Sequence, residues 1–202
     1  MVVVCDDGDV DDDLIREVDR DCGGAAVVWG DEIRPGGSSP SHGFDATLEE
    51  VLHLVTQFGY SVVYDKALGE RSTSRLGRAM TDARGGVVGN GRPTYPASAW
   101  YTYDDPTCDG ECMVTEYFYW GLTSVLGGQS YPGRYDDIRG EWRLNTKAKV
   151  KASDPALYKL MVGSKKMKMP KRLPDGHFAR QAAAMAAPLP EAFPNVFSKD
   201  SK

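Results

Sequence analysis

The chemistry of this chain concentrates in one run, Phe44 to Tyr60, FDATLEEVLHLVTQFGY. Read as a helix, it sets Glu49 four residues and Glu50 three residues before His53, so the three side chains can converge on one point. Gln57 continues the same arc by one more turn. Two ligands four residues apart, with a carboxylate beside the first, is the spacing of the zinc-binding pattern H-E-x-x-H, in which that carboxylate activates water. Here Glu49 stands where the pattern has its first histidine. The competing reading is a solvated helix face. Leu48, Val51, Leu52, Val55 and Phe58 recur at helical spacing on the other side, which predicts that the apolar face is the buried one.

A second candidate is a lone acid in apolar surroundings. Thr115 to Leu126, TEYFYWGLTSVL, is apolar or aromatic nearly all round and predicts a buried helix whose only ionisable acid is Glu116. An unpaired buried carboxylate is expensive, so Glu116 either reaches solvent at a helix end or meets a partner. The structural alternative makes Thr115 the N-cap and sets Glu116 in the first turn, where the helix dipole favours an acid.

Other segments must position these residues. Residues 34–43, RPGGSSPSHG, form a loop entering the first helix, and AAVVW at 25–29 reads as a strand. A helix over Ser74 to Ala83 is closed by Gly85-Gly86. Residues 87–98 carry too many Gly and Pro for regular structure and lack the Lys-Ser/Thr ending of a phosphate loop. Ile138 to Leu144, with Glu141 and Trp142, reads as a helix. Ser153-Asp154-Pro155 opens another that runs to about Val162 and buries Leu157, Leu160 and Met161. Residues 188–202 read as a mobile tail. The expected fold is mainly α, with α+β admitted by the short strand: one domain over 1–180.

Composition excludes several function classes. With 202 residues, 41% of them apolar, and ten tyrosines, six phenylalanines and four tryptophans, the chain can build a sizeable core. Its net charge of −5, with no basic stripe interleaved with aromatics, argues against a nucleic-acid partner. The basic run Lys165, Lys166, Lys168, Lys171, Arg172 reads as a solvated loop. No window reaches membrane-spanning length, and MVVVC is too short for a signal peptide's apolar region, so the chain as written reads as cytosolic. Residues 6–13, DDGDVDDD, hold six aspartates; Asp7, Asp9 and Asp11 alternate as hard oxygen ligands for calcium would. The EF-hand pattern fails there, since Leu14 and Arg20 occupy its Gly and Glu positions, and an acidic cap on a helix over Leu14 to Asp19 competes. Four cysteines permit two disulfides: Cys108–Cys112 across a Gly-containing turn, and Cys5–Cys22. His42, in the entry loop, is a candidate extra ligand, and His177 follows a Pro-Asp-Gly turn as a surface residue.

Taken together, Glu49, Glu50 and His53 on one helix and Glu116 on a later one resemble the gluzincin arrangement of zinc metallopeptidases, whose third ligand is a downstream glutamate. By that resemblance Glu49, His53 and Glu116 would hold the metal and Glu50 would be the general base. TEYFYWGL is also similar to the glutamate-bearing helix of lethal-factor-type toxin peptidases. From Phe44 to about His177 the chain resembles a group of mostly secreted microbial proteins, through the phrases LEEVLHLVT, DARGG, YDDPTC, TEYFYW and LPDG. That resemblance implies a zincin-like fold and an extracellular location.

Glu49 departs from the family pattern. A Glu/His/Glu set carries one more negative charge than His/His/Glu, which shifts preference from zinc toward harder ions such as manganese or iron. A di-iron site needs two Glu-x-x-His motifs, and Glu50–His53 is the only one. Three functions follow as expectations. The first is a metal-dependent hydrolase of peptide or protein substrates. The others are an inactive extracellular binding module on the same scaffold and a calcium-stabilised structural protein.

Overall fold

The computed structural model describes residues 2–5, 16–17, 20, 26–34, 38, 40, 43–87, 94–163 and 166–174. Asp7, Asp9, Asp11, Cys22, His42, Lys165, His177 and the segment 188–202 lie outside the described residues, as does the side chain of Cys5. The fold is mainly α with a short strand element, as the sequence predicts. Two strands, β1 (Val2–Cys5) and β2 (Ala26–Trp29), pair in parallel with Val2 opposite Ala26 and Cys5 opposite Trp29.

The α-helices with described bounds are α1 (Thr47–Val55), α2 (Ser61–Val63), α3 (Asp65–Leu68), α4 (Arg75–Ala83), α5 (Gly110–Leu126), α6 (Arg134–Ile138), α7 (Lys147–Ser153) and α8 (Pro155–Met161). The core is built round α5. Met113, Val114, Tyr117, Phe118, Tyr119, Trp120, Leu122 and Val125 are all buried on it, so every side of this helix meets protein. It begins five residues before Thr115. The Asp109 carboxylate accepts the backbone N–H groups of Glu111 and Cys112, both at 3.0 Å, and is therefore the N-cap. Cys108 and Cys112 are disulfide-bonded across that cap, with Cα atoms 5.3 Å apart. Gly127, at φ 93°, ends the helix in the left-handed region that glycine adopts without a Cβ penalty. Glu116 thus sits in the helix interior rather than the first turn, and the dipole account of it falls.

Local capping chemistry places α4 and α8 where the sequence indicates. Ser74 Oγ accepts from Gly77 N at 2.9 Å to open α4, and Gly85 and Gly86 follow it at φ 70° and 83°. Asp154 accepts from Leu157 N at 2.9 Å to open α8, with Pro155 in the first turn. Leu157, Leu160 and Met161 are buried against the core.

Ile138 to Leu144 is not a helix. The chain leaves α6 at Ile138 and runs beside Trp100–Thr102, with Thr102 N donating to Glu141 O at 2.8 Å and Arg143 N to Trp100 O at 3.0 Å. This short ladder lets Trp142 enter the core fully, near-parallel to Trp120 at 6.5 Å and bonded through Nε1 to Ser124 Oγ at 2.9 Å.

The largest departure from expectation is the facing of α1. Val51, Val55 and Phe58, the middle of its apolar stripe, are 39%, 45% and 50% exposed. The arc of Glu49 and His53 turns inward instead, with Leu52 beside it packed on the core. After Val55 the helix widens into a π turn over Thr56–Tyr60 and runs on into α2. The hydroxyls of Tyr60 and Tyr64 donate to the carbonyls of Lys168 and Lys166 at 2.8 and 2.9 Å, which fastens this stretch to the far end of the described chain.

Candidate metal centre

Inverting α1 lays its polar arc against the turn of α5 that carries Glu116. Glu49, His53 and Glu116 each offer a ligand atom within 4.8 Å of the others. His53 Nε2 lies 3.5 Å from Glu116 Oε2, and its Nδ1 lies 4.0 Å from Glu50 Oε2. The His53 and Glu116 side chains are only 13% and 12% exposed, whereas Glu50 is 32% exposed. The Tyr119 ring meets the imidazole edge to face at 5.7 Å, and Phe44 packs on Tyr119 in turn, so aromatic contacts fix the histidine's orientation.

Electrostatics set this cluster apart from ordinary helix contacts. Burial, and then the charge of Glu116, raises the Glu49 carboxyl well above the usual carboxylate range. Burial raises Glu50 as well, against the opposing pull of His53. For His53, burial disfavours the imidazolium, but Glu116 and Glu50 outweigh it and the ring titrates above its ordinary value. A fourth acid, Glu141, stands behind the cluster: it accepts from Trp120 Nε1 at 2.6 Å, and burial pushes its carboxyl up to about 7. Arg134 is engaged elsewhere, donating to Gln129 Oε1 at 2.7 Å with its guanidinium 4.1 Å over the Phe44 ring.

The donor set fits a divalent cation. Metal–ligand bonds of about 2 Å put two ligand atoms on one ion no more than about 4 to 5 Å apart, a condition that the 3.5 Å between His53 and Glu116 meets. His53 Nε2 is buried, and the Glu116 carboxylate 3.5 Å from it lies at the outer limit of hydrogen-bond reach. A buried polar atom so weakly satisfied is costly, and a cation between the two groups would relieve that cost. One imidazole and two carboxylates suit several first-row ions, so the group can hold a divalent metal while leaving its identity open.

The structure thus brings together Glu49, His53 and Glu116, with Glu50 adjacent and outside the ligand group. Sequence reading gave no role to Glu141 or Glu70. Glu141 was visible as an acid beside Trp142, but only the Trp100–Thr102 ladder carries it to Trp120. Glu70 accepts from Thr115 Oγ1 at 2.7 Å across a sequence gap of 45 residues, a contact with no local signal. Tyr103 also borders these acids: burial, then Glu116 and Glu141, push its hydroxyl far above the usual range, so it stays neutral. No helix among the described residues is long and apolar enough to cross a membrane. No family model, curated protein or solved structure matches this chain.

Proposed function

We propose that the chain is a metal-dependent hydrolase of peptide bonds, with Glu49, His53 and Glu116 as metal ligands and Glu50 as general base. One observation carries this reading: α1 and the π turn after it expose valines and a phenylalanine to water, while α1 turns a carboxylate and an imidazole inward onto a second carboxylate, that of Glu116. That facing is unfavourable for a bare helix and favourable for one that grips a cation.

A divalent ion held there would polarise the scissile carbonyl and lower the pKa of water. Glu49, His53 and Glu116 hold and orient the site. Glu50 accepts the proton of the attacking water and returns it to the leaving amine, and its burial-raised pKa moves it toward the range of an efficient base near neutrality. Zinc is compatible with these donors, and the second carboxylate extends the choice to manganese or iron. The resemblance to zincin-like peptidases supports the same assignment of roles.

The test is turnover of a fluorogenic peptide library by full-length protein loaded with zinc or manganese. Cleavage is expected, and Glu50→Gln should keep the metal while lowering kcat by about 10²- to 10⁴-fold. A loaded protein that cleaves no peptide would contradict the hydrolase and leave a metal-bound binding module.

A further inference from the structure

The polar arc of α1 does not end at His53. Gln57 and Ser61 follow it at four-residue steps, and across from them Glu111 precedes Glu116 on α5. Gln57, Ser61 and Glu111, with Glu70 and Arg71 from the turn after α3, line an open groove of about 470 Å³. Its size is that of a site for one or two amino-acid side chains.

The charges in the groove are unbalanced. Arg71 is committed to Asp65, donating from Nη2 to Oδ2 at 2.7 Å and forming a second close contact from Nη1. Glu70 accepts the Thr115 hydroxyl at 2.7 Å and feels the charge of His53, and among the described residues neither Glu70 nor Glu111 forms an ion pair with a lysine or arginine. One rim of the groove is apolar. Val62 both lines it and belongs to the exposed stripe, where Phe58, Val62 and Val63 are 50%, 66% and 70% exposed. An acidic hollow continuous with an uncovered apolar ridge is complementary to a cation flanked by apolar groups.

We propose that this groove docks an extended polypeptide, taking a lysine or arginine side chain between Glu70 and Glu111 and resting neighbouring apolar residues on Phe58 and Val62. Two of its wall residues, Gln57 and Glu111, lie four residues after His53 and five before Glu116, so a docked chain would lie next to the turns that carry the candidate centre. As a substrate-selecting site the groove rests on the proposed hydrolase. As a binding site it does not, because docking requires no turnover.

The experiment measures binding of fluorescein-labelled decapeptide mixtures with one fixed central residue (Lys, Arg, Glu or Leu) and either leucine or serine flanks. The full-length protein is used, and metal content is determined on the same samples so that failure of the centre and failure of the groove are read separately. Lys and Arg mixtures with leucine flanks should bind about tenfold more tightly than the Glu mixture, and added salt should narrow the gap. Glu70→Gln with Glu111→Gln should erase the charge preference, and Phe58→Ser with Val62→Ser the flank preference, with melting temperature and metal content retained. Should the Glu70 variant fail to fold, Glu111→Gln alone, at an exposed position, still has to reduce the preference. Equal binding of the Lys and Glu mixtures overturns the proposal, as does binding by none of them. A dimer in light scattering that Phe58→Ser dissolves does so too, because the ridge is then covered by a second copy.

Discussion

Two helices that touch at the candidate centre obey opposite rules. α5 follows its sequence: from Met113 on it is apolar or aromatic nearly all round and buried nearly all round, so the water-to-protein transfer of its side chains accounts for its place. α1 and the π turn after it defy their sequence, with valines and a phenylalanine in water and glutamate and histidine inside. Hydrophobic burial positions the first helix and cannot alone position the second. The difference locates function, because a sequence pattern that is broken against its own hydrophobic drive marks a compensating interaction elsewhere. Here the compensation has to be electrostatic, since what α1 gains by turning inward is contact among charged groups.

Breaking the hydrophobic half of this comparison gives the largest effect. Trp142→Ala removes a fully buried ring stacked on Trp120 and should cost about 3–5 kcal/mol, roughly 10 °C in melting temperature. Val55→Ser on the exposed ridge should stay within about 0.5 kcal/mol in the same melts. Comparable losses at both positions would mean that the ridge of α1 is covered after all.

Two glycines sharpen the contrast at the backbone. A Cβ at Gly121 would sit 2.8 Å from a methyl of Leu157, itself fully buried, so Gly121→Ala should destabilise by about 1–3 kcal/mol through overpacking. A Cβ at Gly59, in the π turn beyond α1, meets nothing within 4 Å. Gly59→Ala should therefore be neutral or stabilise by about 0.4–1 kcal/mol, read by chemical denaturation. A loss at Gly59 as large as that at Gly121 would contradict the exposure of this stretch.

The smallest effect is a pH trend in metal-free protein. Glu141, pushed up to about 7, and Glu49, raised above its ordinary 4.5, penalise the folded state once ionised. For Glu141 that penalty is full above about 7 and is relieved as pH falls toward 4.5, and the raised Glu49 carboxyl acts in the same direction. His53 acts in the same direction: its raised pKa stabilises fully below 6.5, and that contribution is lost as pH rises. Chelator-treated protein should thus melt higher at about pH 5.5 than at about pH 8, whereas metal-loaded protein should show the reverse, because protons compete for the ligands. Identical trends with and without metal would sever the link between α1 and a cation.

What the sequence made legible divides along the same line. The starts of α4 and α8 could be read because Ser74 and Asp154 satisfy backbone groups within three residues of themselves. The Cys108–Cys112 disulfide was legible for the same local reason. The convergence of Glu49, His53 and Glu116 could be expected from ligand spacing plus one unexplained acid. The facing of α1 could not, because periodicity defines two faces without saying which one turns inward when a charge-binding site competes with the core. The true N-cap of α5 was missed because Asp109 lies in a turn-rich run with several rival caps. Glu141 reaches Trp120, and Glu70 reaches Thr115, through contacts distant in sequence, and no short window encodes those.

The most direct measurement is the metal content of purified full-length protein by elemental analysis, with melting before and after chelation. One equivalent of a divalent ion per chain is predicted, absent from His53→Ala and Glu116→Gln, and its removal should lower the melting temperature by mass action on the folded state. Protein that binds no divalent ion, and whose melting neither chelator nor added zinc or manganese alters, would contradict the account at its centre.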